Sequence, residues 1–208
     1  MAMTAAIFLD KDGTLLEDVP YNVDPGKMTF APGARSGLGR LGKLGLPIFV
    51  ITNQPGIALG CFTTDDLAPM VAQLGDMFAQ AGAMLSGFYY CPHHLLGTVA
   101  VHARICDCRK PAPGLLFRAA TEHAINLHSS WFIGDILDDV EAGRAAGCKT
   151  VLIDNGNETK WEINDRRQPD HMAPDLDEAS DWIFHWYAVQ SVFAPDRTIR
   201  GAKHGNPA

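Results

Sequence analysis

Short, unbroken apolar runs alternate along the chain with longer stretches whose apolar residues recur every three to four positions. Ala5-Ala-Ile-Phe-Leu9 is apolar throughout and stops at Asp10, as a strand buried on both faces does. Pro47–Ile51, Gly87–Cys91, Trp131–Ile133 and Thr150–Ile153 read the same way. Between them, Leu38, Leu41 and Leu44 share one face of a helix over Gly33–Leu44. Leu67, Met70, Val71, Leu74 and Phe78 mark another over Leu67–Ala81, with an N-cap offered by Thr63-Thr-Asp-Asp66. Gly114–Ala124 and Asp138–Ala146 read as two more helices, and Pro92–Pro113 as irregular. Residues 154–176 are polar and read as loop. A last helix over Asp177–Phe193 carries Trp182, Ile183, Trp186, Val189 and Phe193 at helical intervals, for docking on the core or, alternatively, as a dimer face. This alternation predicts an α/β fold, a doubly wound parallel sheet covered by helices on both faces, over residues 1–193. The stretch 194–208 is expected to be a flexible tail.

Composition narrows the function classes. With 208 residues, 47% of them apolar, the chain can bury one full core. Its 17 basic and 24 acidic residues give a net charge of −7 without a basic patch, so nucleic acid is not an expected partner. No apolar run approaches the ~18 residues that span a bilayer. No positive stretch precedes the first apolar run, so neither a membrane segment nor a cleaved secretion signal is expected, and a cytoplasmic location is. Three of the five cysteines fall within residues 91–108, which in such a chain favours metal over disulfides. Cys61 and Cys148 have no partners in sequence and read as ordinary thiols.

The chemistry-bearing residues sit where strands end. The first strand runs into Asp10-Lys-Asp12-Gly-Thr14, the second into Thr52-Asn-Gln54, and Trp131–Ile133 into Gly134-Asp135-Ile-Leu-Asp138-Asp139. In an open parallel sheet, ligands bind at these carboxyl ends, so the clusters are expected to share one crevice. Asp10, Asp12 and Asp135 crowded there need a cation, and Mg²⁺ suits hard oxygen ligands and a phosphate. One carboxylate can then attack phosphorus while its neighbour serves as acid and base. Gly13 permits a tight turn that brings backbone N–H groups toward the phosphate. Lys110, in Cys108-Arg-Lys-Pro111, is placed to balance charge on the phosphoryl oxygens. Cys91-Pro-His93 and Cys106-Asp-Cys108 offer three thiolates and an imidazole, a closed set for structural Zn²⁺, with His94 as an alternative to His93.

Asp10-Lys-Asp12-Gly-Thr14, Thr52-Asn53, Lys110-Pro111 and Gly134-Asp135-xxx-Asp139 together resemble the four motifs of the haloacid dehalogenase superfamily of phosphohydrolases, over about residues 4–155. The likeness is to the short, capless branch that holds heptose-bisphosphate and histidinol-phosphate phosphatases. The resemblance implies Asp10 as nucleophile, Asp12 as acid/base, and Thr52 and Lys110 on the phosphoryl oxygens. It implies Mg²⁺ on the Asp10 carboxylate, the Asp12 backbone carbonyl and Asp135, with a supporting acid at Asp138 or Asp139, the latter favoured by spacing. It also implies Zn²⁺ on Cys91, His93, Cys106 and Cys108, in a loop over residues 91–108.

Asn53, Gln54 and Arg109 are candidates for substrate contact, and Tyr21 and Asn22 lie on a loop expected near the crevice. The branch's heptose phosphatases typically carry Gly-Ile-Ala-Arg-Gly after Thr-Asn-Gln; here Leu59 stands at the arginine, removing a fork of donors suited to phosphate. The resemblance points to a small phosphorylated metabolite, first a sugar phosphate such as a heptose 1,7-bisphosphate losing its 7-phosphate. The alternative is histidinol phosphate or another small phosphomonoester. A non-catalytic binder of phosphorylated ligands fits less well, because binding needs no nucleophile. A monomer or weak dimer is expected.

Overall fold

The computed structural model describes residues 3–193; the stretch 194–208, expected to be a tail, lies outside them, as do the side chains of residues 190–193, Phe193 among them. Six strands form one parallel sheet: β1 (Ile7–Leu9), β2 (Ile48–Asn53), β3 (Leu85–Cys91), β4 (Trp131–Gly134), β5 (Lys149–Ile153) and β6 (His171–Ala173). Their spatial order is β3-β2-β1-β4-β5-β6. The order reverses between β1 and β4, the switch point where parallel sheets open a crevice at their carboxyl ends. Leu9 lies beside Val50 on one side and Ile133 on the other, so the residues after β1, β2 and β4 emerge together.

Side-chain alternation along the strands divides the core into two layers. Ile7, Leu9, Ile48, Val50, Trp131 and Ile133 pack under α1 (Ala34–Gly42), α3 (Leu67–Ala81) and α6 (Leu176–Phe193). Phe8, Phe49, Ile51 and Phe132 pack under α4 (Gly114–His123) and α5 (Leu137–Ala146). Both faces of the central strands are thus dry, which is why they read as continuous apolar runs rather than alternating ones. Among the described residues, no separate cap domain interrupts the sheet.

The structure departs from expectation in four places. His171–Ala173 is an edge strand within the stretch read as loop; its three residues, with Met172 exposed, are too short for a periodic signal. A one-turn helix, α2 (Gly56–Leu59), follows β2 and ends on Gly60 in the left-handed conformation. At the start of α3, Asp66 is the N-cap but its side chain caps no helix N–H; its carboxylate accepts instead from the Thr63 N–H and hydroxyl at 2.7 and 2.8 Å. Finally, α6 docks through Leu176, Ala179 and Ile183, and Val189, read as part of its apolar face, is exposed. Trp182 and Trp186 meet the buried Trp131 edge-on, with centroids 5.2 and 5.4 Å away. Arg40 of α1 clasps Asp177 and Asp181 of α6 at 3.0 and 2.9 Å.

Candidate active site

The carboxyl ends of β1, β2 and β4 bring the motif residues together around one cation. Lys110 Nζ lies between the carboxylates of Asp10 and Asp139, 2.6 Å from Asp139 Oδ1 and in direct contact with Asp10 Oδ1, and it also donates to the Ile51 carbonyl at 3.2 Å. All three charged groups are buried. Burial alone would push the ammonium down, but Asp10 and Asp139 outweigh it and hold Lys110 protonated. Asp139 faces inward and its Oδ2 accepts from the Ile136 N–H at the start of α5, whereas Asp138 turns outward to Arg167 at 3.0 Å.

Lys110 owes its position to β2. The Asn53 side chain accepts from the Lys110 N–H at 3.0 Å and donates to the Lys110 carbonyl at 3.1 Å. The Lys110–Pro111 peptide is cis. Asn53, a candidate for substrate contact, has its amide engaged with the backbone of Lys110. Arg109, the next candidate for substrate contact, donates to the His93 carbonyl at 3.3 Å and lines a cavity of about 280 Å³ with His94, Leu95, Ile105 and Lys110.

Asp12 is more exposed than Asp10 and is held at both oxygens. Lys11, fully buried, sits 2.7 Å from Oδ1, and Gln54 Nε2 donates to Oδ2 at 3.3 Å and to Thr52 Oγ1 at 3.1 Å. Gln54 therefore links Asp12 to Thr52. Burial raises the Asp12 carboxyl above its usual range.

Asp135 completes the cluster. Its Oδ1 accepts from the Thr14 hydroxyl at 2.9 Å and its Oδ2 from Asn157 Nδ2 at 2.7 Å. Burial, reinforced by the Asp10 charge, pushes it up to about 7, and burial raises Asp139 as well. Gly13, at φ 84°, passes so close that a Cβ there would overlap the Asp135 carboxylate, so only glycine serves.

Two donor sets fit metal ions. Oxygens of Asp10, Asp135 and Asp139 lie within 4.8 Å of one another, an all-oxygen set suited to Mg²⁺. The Asp12 carboxylate, turned toward Lys11 and Gln54, is not among them. The second set is Cys91, His93, Cys106 and Cys108. Cys91 Sγ lies 3.6 Å from His93 Nδ1 and 3.5 Å from Cys106 Sγ, and Cys108 Sγ lies 3.2, 3.3 and 3.3 Å from Cys91, Cys106 and His93. A tetrahedral Zn²⁺ with ordinary bond lengths separates its ligands by about 3.5–3.8 Å, so these four atoms need shift only by tenths of an ångström. His94 is outside the set; its Nδ1 accepts from the Leu96 N–H at 3.2 Å.

Sequence reasoning did not single out Lys11, Asn155, Asn157 or Glu158 as site residues. Asn155 and Asn157 carry a short-range signal, an Asn-Gly-Asn turn after a buried strand, but what they touch is set by tertiary structure.

Known proteins resemble this chain in sequence and in fold. A family model described as HAD-hydrolase-like matches residues 107–179. The D-glycero-beta-D-manno-heptose-1,7-bisphosphate 7-phosphatase of Escherichia coli (strain K12) is 35% identical over 181 residues, covering 86% of this chain and 88% of the relative. Its counterpart from Pasteurella multocida (strain Pm70) is 39% identical over 155 residues, 74% and 84% of the two chains. Among solved structures, a D,D-heptose 1,7-bisphosphate phosphatase from B. bronchiseptica, complexed with magnesium and phosphate, matches with a TM-score of 0.75 at 26% identity, covering 88% of this chain and 99% of that one. The chain belongs to the haloacid dehalogenase-like hydrolases and, within them, to the phosphatases that cleave phosphoric monoesters.

Proposed function

We propose that the chain is a Mg²⁺-dependent phosphomonoesterase that works through an aspartyl-phosphate on Asp10, with a sugar phosphate of the heptose type as substrate. The observation that carries the reading is the division of labour between the two motif aspartates. Asp10 is buried against Lys110, while Asp12, two residues on, stays about 30% exposed and is held by Lys11 and Gln54. The first is protected and charge-compensated; the second is free to exchange protons with a leaving group and with water. The substrate class follows the relatives, which are named heptose-1,7-bisphosphate 7-phosphatases.

In the reaction so read, an Asp10 oxygen forms a bond to phosphorus as the ester P–O bond breaks. The Asp12 carboxyl gives its proton to the departing sugar oxygen. Water then attacks the aspartyl-phosphate, Asp12 takes back a proton, and phosphate leaves with Asp10 regenerated. Lys110 and the Thr52 hydroxyl stabilise the equatorial oxygens, where charge develops. Asn53 acts through Lys110, and Gln54 through Asp12 and Thr52. Asp10 and Asp135, with the Asp12 backbone carbonyl, would hold a magnesium ion, which would supply the neutralisation that lets an anionic nucleophile approach an anionic phosphoryl group. Cys91, His93, Cys106 and Cys108 would hold a zinc ion, which would fix the loop that delivers Arg109 and Lys110.

The test is release of p-nitrophenolate from p-nitrophenyl phosphate with Mg²⁺, lost on chelation and reduced about 10³-fold or more in Asp10→Asn. A panel of sugar phosphates and histidinol phosphate, ranked by kcat/KM, then tests the substrate class. A wild-type protein inert toward every phosphomonoester would replace the enzyme with a phospho-ligand binder.

A further inference from the structure

Residues 155–158, beyond the last motif, touch three separate parts of the carboxylate cluster. Asn155 Nδ2 donates to the Gly13 carbonyl at 2.7 Å, in the turn after Asp12. Asn157 Nδ2 donates to Asp135 Oδ2 at 2.7 Å. Glu158 Oε2 accepts from the Leu137 N–H at 2.8 Å, satisfying an open donor in the first turn of α5, the helix that carries Asp139. The segment is also internally braced: Asn155 Oδ1 accepts from the Asn157 N–H at 3.1 Å, and Gly156 takes φ 90° to close the turn. The backbone of the nucleophile turn, the carboxylate after β4 and the start of α5 thus hang on four consecutive residues that contribute no ionisable group to the cluster itself.

We infer that this segment is a positioning strap, and that the Asn157 amide orients the Asp135 carboxylate as a ligand for a divalent cation. The inference rests on the Mg²⁺ reading given above. Among the described residues, Asp135 is held by Thr14 on Oδ1 and Asn157 on Oδ2. With one donor removed, the carboxylate gains freedom to rotate, and ordering it again is charged against metal binding. Groups hydrogen-bonded to metal ligands typically change affinity by about 10–100-fold when removed. The amide touches neither the phosphoryl clamp of Thr52 and Lys110 nor the Asp12 carboxylate, so its loss acts on the metal rather than on the substrate.

Asn157 is exposed, and alanine is compatible with the fold there. The experiment compares wild type with Asn157→Ala by calorimetric titration with Mg²⁺ and by the Mg²⁺ dependence of p-nitrophenyl phosphate turnover. The expected result is a Mg²⁺ dissociation constant and half-saturation raised about tenfold. At saturating Mg²⁺, kcat returns toward the wild-type value, the substrate KM is little changed, and metal-free thermal stability is the same in both proteins. A Mg²⁺ affinity within about twofold of wild type overturns the inference, as does a fall in kcat that Mg²⁺ does not restore. Wild-type protein that binds no Mg²⁺ overturns the metal reading itself, a result distinct from equal binding by both.

Discussion

Asn53 and Lys110, from segments 57 residues apart, hold each other by a reciprocal pair of hydrogen bonds, amide to backbone in both directions at 3.0 and 3.1 Å. Because the Lys110 ammonium is fully buried between two carboxylates, its backbone sets where that charge sits. Asn53→Ala is therefore expected to lower kcat by roughly 10–100-fold with a smaller change in KM, since misplacing a charge-stabilising group acts mainly in the transition state. Steady-state kinetics on p-nitrophenyl phosphate decide the matter; a change in KM alone would return Asn53 to the substrate.

The zinc set reaches the same lysine from the other side. Cys108 lies two residues before Lys110, and the loop over residues 92–113 has no helix or strand of its own. Cys106→Ser is expected to lose bound zinc, lower the melting temperature and reduce kcat by about 10²-fold, although Cys106 touches no substrate. Excess Mg²⁺ should not rescue it, because magnesium does not favour thiolate and imidazole ligands. Full activity without bound zinc would uncouple the loop from catalysis.

Leu59 ends α2, where its carbonyl accepts from the Thr98 hydroxyl of the zinc loop at 3.1 Å. An arginine there would add a forked, charged donor. Leu59→Arg should raise kcat/KM for a heptose 1,7-bisphosphate relative to the matching monophosphate by about 10–100-fold, corresponding to a charged hydrogen bond of roughly 1.5–3 kcal/mol. An unchanged ratio would place recognition of the second phosphate elsewhere.

The metal-free site has a pH dependence of definite sign. Burial raises Asp135 to about 7, against an unfolded value near ~3.9. A carboxyl raised on folding holds its proton more tightly in the native state, so its contribution to stability is present at low pH and is lost as pH rises toward 7. A cation at the site removes that penalty. The rise in melting temperature on adding Mg²⁺ is therefore expected to be larger at about pH 8 than at about pH 6. Thermal scans with and without Mg²⁺ measure it, and a larger rise at the lower pH contradicts the assignment.

The central strands and the motif aspartates were legible in sequence because their signals are local. An unbroken apolar run such as Ile7–Leu9 announces a strand buried on both faces, and the acid that follows it marks the sheet's carboxyl end. His171–Ala173 and Gly56–Leu59 escaped because a three-residue strand and a four-residue helix span barely more than one period, too little for a repeat to show. The bond between Asn53 and Lys110 is not legible in sequence, since nothing local shows that a loop more than fifty residues later returns to meet its amide. Asn157 was missed for the same reason: its role exists only because β5 lies beside β4.

The most direct test of an aspartyl-phosphate on Asp10 uses Asp12→Asn with p-nitrophenyl phosphate. The leaving phenolate is stable enough to depart without a proton from residue 12, whereas the second step still needs a base for water. The predicted result is a burst of p-nitrophenolate equal to the enzyme present, followed by slow turnover, with phosphate found on Asp10 by mass spectrometry of acid-quenched protein. Release without a burst, and no phosphate on Asp10 at any time point, would mean that water attacks the ester directly and would contradict the mechanism.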